Sequence, residues 1–401
     1  MARTQRVAAM AMAVAAVTAL AGCGAVQGTA LPGEPDVRTL EVGPYQVTKH
    51  RYDQESGGRG ALLEAMRMSE TVVPTVRIDP SLRYGHGSSV LGDTPAALRY
   101  LASVSKPVLD TRKFVAGYAA QGGDAPDPPG EETAGPESTV VTTAVLRFPD
   151  EATAKLAARE LEDADIGVSP DNQRLGSTKY PDAYIHWRPG IASVGTFIAH
   201  REFVVSLYIR RPKADSADLV TWVDKTLDAQ LPAMDGFQAT PVDRLDSLQV
   251  DPDDLLARVA VEDREGWEPD TSRFMVVAAV DAVHNTENQA MAERLIEDSG
   301  ADKIAVVGPD LLFRVRDGEA GRVLVDGLLE AVSATYDPID APKDVPGAKC
   351  VQLNELGDPD RQYKYRCYVP YKRYVGILVS DREPDVRQKV AAEYALLANS
   401  L

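Results

Sequence analysis

Phe197-Ile198-Ala199-His200-Arg201-Glu202-Phe203-Val204-Val205-Ser206-Leu207-Tyr208 is the stretch that decides the fold. Apolar, β-rich residues flank the tetrad Ala199–Glu202, which predicts an antiparallel hairpin. A helix follows from Asp215 or Ser216, with Leu219, Trp222, Val223, Leu227 and Leu231 at helical spacing before Pro232. The same pattern returns without a gap: Tyr368-Val369, four turn residues, Tyr374 to Val379, then a terminal helix carrying Val386, Val390, Tyr394 and Leu397. Upstream, Val140 to Phe148 is a strand, and Pro149-Asp150 opens a helix through Leu156, Ala157 and Leu161. Phe274 to Val283 reads as the counterpart of that strand. Identity between the two regions is minimal, so the repeat is one of pattern. The expected class is α+β: tandem β-α-β-β-α modules with antiparallel sheets and helices packed on one face.

Outward from these modules the chain divides at composition shifts. Residues 37–238 read as an N-terminal α+β domain, 239–270 as an acidic linker and 271–401 as a C-terminal α+β domain. Within the first, Val37 to Val42 predicts a strand that stops at Gly43-Pro44. Ala61, Leu62, Ala65 and Met66 predict a helix, and a second runs from Thr94 to Val104 with Pro107 as its stop. Gln121 to Ser138 has no large apolar residue and reads as a long loop. In the second domain, Thr286 and Gln289 form a capping box and Gly300 is the stop. Strands flank Gly308-Pro309, and Ala320, Val323, Leu324, Leu328 and Ala331 form a helical stripe.

The beginning of the chain reads as an address. Arg3 and Arg6 precede an uncharged Ala/Val/Met run from Val7 to Leu20, and Leu20-Ala21-Gly22-Cys23 resembles the lipobox of bacterial lipoproteins. That resemblance implies a signal peptide over residues 1–22, cleavage before Cys23 and acyl chains (diacylglycerol, palmitate) on its thiol. Residues 23–36 then form a flexible tether of roughly 20 Å. The implied place is the extracytoplasmic face of the cell membrane, with the cytoplasmic membrane as the partner of Cys23 through its acyl chains. Removing Arg3 and Arg6 takes the formal charge from −17 to −19, which argues against nucleic acid as a partner. With Cys23 committed to lipid, Cys350 and Cys367 are left in an oxidising compartment, and a disulfide between them is the economical assignment.

The lipobox, the stretch Arg38-Thr39-Leu40 with Val42-Gly43-Pro44-Tyr45, the step Ile78-Asp79-Pro80 and the cysteine pair can be taken together. With them the mature chain resembles a family of actinobacterial exported lipoproteins, of mycobacterial and nocardial type, built of domains of unknown function. The resemblance implies an envelope location and carries no catalytic residues with it.

Motifs for chemistry are sparse. Gly85-His86-Gly87-Ser88-Ser89 places a serine near a histidine, yet it lacks the G-x-S-x-G order of a nucleophile elbow and reads as a Gly-rich surface turn. Ser103-Val104-Ser105-Lys106 has no S-D-N or K-T-G companion. Five histidines show no H-E-x-x-H, and no metal or cofactor is expected. Asp251, Asp253 and Asp254 read as an acidic cap for the helix that follows. One local exception to the acidity remains. Tyr363, Lys364, Arg366 and Tyr368, continued by Lys372 and Arg373, form a possible binding surface in which tyrosines stack on sugars or lipid headgroups and cations meet anions. The expected function is a membrane-anchored envelope lipoprotein acting as a non-catalytic binding or interaction module, with an envelope glycan, lipid or protein as ligand. The alternative is an envelope serine hydrolase using Ser88.

Overall fold

A computed structural model of the chain describes residues 34–127 and 135–400. The signal peptide, Cys23 and most of the tether lie outside the described residues, as does the middle of the 121–138 loop. Residues 35–400 belong to one compact unit.

Among the described residues, fourteen strands form two antiparallel sheets of seven. The first sheet contains β1 (Tyr84–Leu91), β2 (Ala116–Gly123), β3 (Val140–Arg147), β4 (Gln173–Leu175), β5 (Tyr184–Trp187), β6 (Ser193–His200) and β7 (Phe203–Arg210). The second contains β8 (Phe274–Ala278), β9 (Lys303–Val307), β10 (Asp310–Arg314), β11 (Tyr336–Ile339), β12 (Lys349–Leu353), β13 (Tyr365–Tyr371) and β14 (Tyr374–Ser380). Their spatial orders are β1-β2-β3-β7-β6-β5-β4 and β8-β9-β10-β14-β13-β12-β11. These are the same permutation, so the tandem repeat is a property of the fold.

The hairpins that suggested the repeat are equivalent down to their turns. His200 pairs with Phe203 and Tyr371 with Tyr374, leaving Arg201-Glu202 and Lys372-Arg373 as two-residue connections. Arg201 and Lys372 both adopt positive φ, 55° and 49°. The expected four-residue turns are therefore tighter by one residue on each side. The correspondence of Phe274 with Val140 needs correcting. The strand of the second sheet equivalent to β3 is β10, and β8 matches β1. The error has a physical source: apolar strand patterns repeat along both sheets, and only the pairing order tells them apart.

Antiparallel α+β architecture is what the structure has, but the helices of the first sheet take opposite faces. Asp150 caps the helix Glu151–Ile166, accepting from Thr153 N at 2.7 Å, and its stripe Ala154, Ala157, Ala158 and Leu161 packs on Leu146, Phe197 and Val204. Asp215 caps the helix Ser216–Ala233, whose Leu219, Val223 and Leu227 share the core with Val205, Leu207 and Ile209. Alternation along a strand sends successive side chains to opposite faces. Val204 and Val205 are therefore both buried, each under a different helix.

Between the sheets lies the helix Gly60–Arg67, with Leu63, Ala65 and Met66 in the common core. Its Glu64 is fully buried and accepts from Arg147 Nη1 of β3 at 2.6 Å and Thr240 N at 2.9 Å, so the buried carboxylate is matched by hydrogen bonds.

Several expectations shift at this level. Val37–Thr39 is a short 3-10 turn and not a strand, and the segment after it lies on the C-terminal helix Glu383–Ser400: Tyr45 OH bonds Asp385 Oδ1 at 2.8 Å and Asn399 Nδ2 bonds Val47 O at 2.8 Å. Pro107 begins a helical segment, Lys106–Thr111, where its missing N–H costs nothing. Asn288 takes the capping role expected of Thr286, accepting from Met291 N at 3.1 Å, while Gly300 ends that helix in the left-handed region at φ 57°. The stretch 239–270 is folded into the body. Leu245, Val250, Leu255, Leu256 and Val259 are all buried, and Asp251 accepts from Leu255 N at 2.7 Å and Ala257 N at 2.9 Å.

Candidate binding cavity

Gly85-His86-Gly87-Ser88-Ser89 is the middle of strand β1, not a surface turn. Gly85 is there because backbone crosses it: a Cβ would sit 2.3 Å from the carbonyl oxygen of His284, and its N–H donates to Thr286 O at 2.8 Å. The β1–β2 register slips between Gly85 and Ser88, with Gly87 at φ 105°. Bulges of this kind re-aim a side chain. Here Ser88 is directed at Asp281, at the start of the short helix Asp281–His284 that follows β8.

Ser88 Oγ donates to Asp281 Oδ1 at 2.7 Å and accepts from Asn285 Nδ2 at 2.9 Å. Tyr118 OH, from the fully buried side chain on β2, donates to the same Asp281 oxygen. Burial, reinforced by Asp281, holds the Tyr118 phenol well above its usual range, so it stays protonated. Beside them Tyr100 OH donates to Ser89 Oγ at 2.7 Å. The serine hydroxyl is thus engaged on both sides, and Asp281 Oδ1 already takes two donors.

No described histidine hydrogen-bonds to Ser88. His86 is turned to Asp127, Nδ1 to Oδ1 2.8 Å. His284 is completely buried, and burial, partly countered by Asp281, pushes its pKa down to about 4, so it is neutral. A nucleophile needs a base within hydrogen-bond reach and a third group orienting that base. No described histidine fills the first role, and the carboxylate within reach, Asp281, shares its Oδ1 with Tyr118.

The cluster forms one end of a cavity of about 590 Å³ between the edge strand β1 and the face of the second sheet. Its other walls are apolar: Met275 of β8, Ile304 and Val306 of β9, Leu311 and Phe313 of β10, with Leu328 from the helix Gly318–Val332. Two cations complete the lining, Arg99 and Arg366. Sequence periodicity gave no sign of this cavity, because its walls come from segments up to 289 residues apart, as Ser88 and Ile377 both line it.

The basic and aromatic stretch expected to form a binding surface is not brought together. Tyr363 and Lys364 are exposed at one end of β13, whereas Lys372 and Arg373 are exposed in the turn at its other end, roughly 20 Å away at the rise of a strand. Tyr368 is fully buried and cannot serve such a surface, because that face of β13 is covered. Arg366 lines the cavity, its guanidinium lying over the Tyr336 ring at 5.2 Å. Cys350 and Cys367 face each other across β12 and β13 and form the expected disulfide, with an S–S distance of 2.05 Å. Among the described residues no group of three His, Cys, Asp or Glu side chains could hold a metal ion, and no helix is long and apolar enough to cross a membrane.

Comparison with known proteins gives a family and little more. No curated protein matches the chain. Among solved structures, the extracellular domain of PknH from Mycobacterium tuberculosis is similar at 12% identity and a TM-score of 0.27, over 40% of this chain and 92% of that one. Two family models match consecutively: the DUF7373 N-terminal domain of unknown function over residues 51–250 and the DUF7373 C-terminal domain of unknown function over residues 255–400. Together they span most of the sequence, and the chain belongs to the DUF7373 family.

Proposed function

We propose that this chain is a lipid-anchored binding protein of the extracytoplasmic membrane face, which holds a small, largely apolar ligand in the cavity between its two sheets. The observation that carries the binding part is the cavity itself. Its volume, about 590 Å³, lies within the range of small-molecule sites, and its lining follows their pattern of apolar walls with a few convergent polar groups. The anchoring part rests on the run from Arg3 to Cys23, whose order of charge, apolar stretch and small residues fits an acylated export signal.

A neutral solvatochromic dye tests the binding reading. It is expected to shift to the blue with the purified protein, and to lose that shift in Met275→Trp, which fills the cavity from β8 without touching the polar cluster. An unchanged blue shift in a Met275→Trp variant with native circular dichroism would place the dye elsewhere and sink the assignment. For the anchor, Cys23→Ala should move the protein from the detergent phase to the aqueous phase in a phase-partition assay. A fluorophosphonate probe should leave Ser88 unlabelled, since no described histidine reaches it and the Asp281 oxygen it meets is already shared with Tyr118.

A further inference from the structure

We infer that the occupant of the cavity is a long-chain amphiphile with an anionic head, its head held by Arg366 and its chain passing beneath the helix Gly318–Val332. This deepens the binding reading above and rests on it.

The head position follows from Arg366. The chain has 60 acidic residues against 43 basic ones, yet neither cavity arginine pairs with a carboxylate among the described residues. Arg366 is the sharper case: its Nε is buried and meets no acceptor, although the side chain stands against the apolar wall formed by Leu311 and Ile377. A buried guanidinium donor without an acceptor is costly, and a carboxylate or phosphate oxygen would satisfy it with a charge-assisted bond. The carboxylate present in the cavity, Asp281, is bonded to Ser88 and Tyr118 instead.

The chain position follows from a second cavity. It measures about 580 Å³ and is lined by Met291, Leu295 and Ile296 of the helix Gln289–Ser299 and by Leu324 of the helix Gly318–Val332. Ala282, Phe313 and Leu328 line both cavities, so the two adjoin there, and the chain would pass at a neck between these three side chains. An elongated apolar space with a buried guanidinium donor lacking an acceptor fits an acyl or alkyl chain ending in an anion. A sugar would face walls that offer its hydroxyls few partners.

The test is displacement of the neutral dye from the full chain by hexadecyl phosphate, hexadecanoate, octyl phosphate and hexadecanol. Each methylene buried is worth up to about fourfold in affinity, so the two long anions should displace at roughly tenfold lower concentration, or less, than octyl phosphate. They should also beat hexadecanol, and phosphate against carboxylate separates the two kinds of head. Arg366→Gln should erase the preference for anions and leave the chain-length dependence. Leu328→Trp should do the reverse by closing the neck, and Leu328→Ala, which opens it, should retain both preferences. Equal displacement by hexadecanol, or undiminished chain-length dependence in a folded Leu328→Trp protein, would overturn the inference. If the dye binds but no amphiphile displaces it, this inference falls and the binding reading stands. If the dye does not bind, both fall.

Discussion

Glu393 shows what a single buried group can impose. It lies fully inside the body on the helix Glu383–Ser400, accepts from Ala260 N at 2.8 Å, and stands where a Cβ on Gly376 would collide with it. Burial pushes its pKa up to about 8, so the folded protein holds a proton that the unfolded chain releases near the ordinary value of 4.5. The folded state binds more protons between these two values, and its stability therefore falls as pH rises through that window. The melting temperature of the native chain should decline from pH 5 to pH 9 more steeply than that of Glu393→Gln, as differential scanning fluorimetry would show. His284 works in the other direction: with its pKa pushed down to about 4, it removes stability as pH falls from its ordinary value of 6.5 towards 4. Two other residues carry a backbone cost. Arg201 and Lys372 sit at positive φ in two-residue hairpin turns, where glycine is at ease. Arg201→Gly or Lys372→Gly should raise stability by about 1 kcal/mol, measured by urea unfolding. A loss of stability in both would mean that their side chains matter more than their backbone.

At the scale of elements, the sequence was legible wherever a local signal decides. Asp150 and Asp215 announced their helices, Gly300 its stop, and the Cys350–Cys367 pair followed from parity and compartment. Asp317 adds a cap of the same kind, accepting from Glu319 N at 3.0 Å and Ala320 N at 2.9 Å, and Asp317→Ala should cost about 1 kcal/mol in the same urea measurement. Replacing both Cys350 and Cys367 by Ala opens a cross-strand link with a sequence separation of 17 and should cost about 3 kcal/mol by the chain-entropy argument. What was not legible is equally local in origin. Gly85 and Gly87 speak for a turn by composition, yet the first is needed for a backbone crossing and the second for a bulge inside a strand. The short edge strands β4 and β11 carry too few residues for alternation to register. Arg366 was singled out for its charge, while its direction, into a cavity, depended on which face of β13 the rest of the fold would cover.

For the whole molecule, the repeat was legible in one hairpin and its helix, and its full extent was not. Strand order is set by long-range pairing that no window of sequence contains, which is why β8 was matched to β3 and not to β1. The family models divide near residue 250, but one hydrophobic core runs through both sheets and the helix Gly60–Arg67, and residues from both sides of the division contribute to it. Calorimetry should accordingly record a single unfolding transition with equal calorimetric and van't Hoff enthalpies. Two resolved transitions would show the halves to be energetically separate. The matching strand orders also bear on how the binding site could have been shaped. β1 and β8 occupy the same station in their respective sheets, and both border the ligand space. In a pair of identical subunits, any change to one wall would be copied onto the other. Joined in a single polypeptide, the copies are free to diverge, so one supplies hydroxyls while its twin supplies grease and a carboxylate, and the pocket acquires chemically unlike walls that strict two-fold symmetry would forbid.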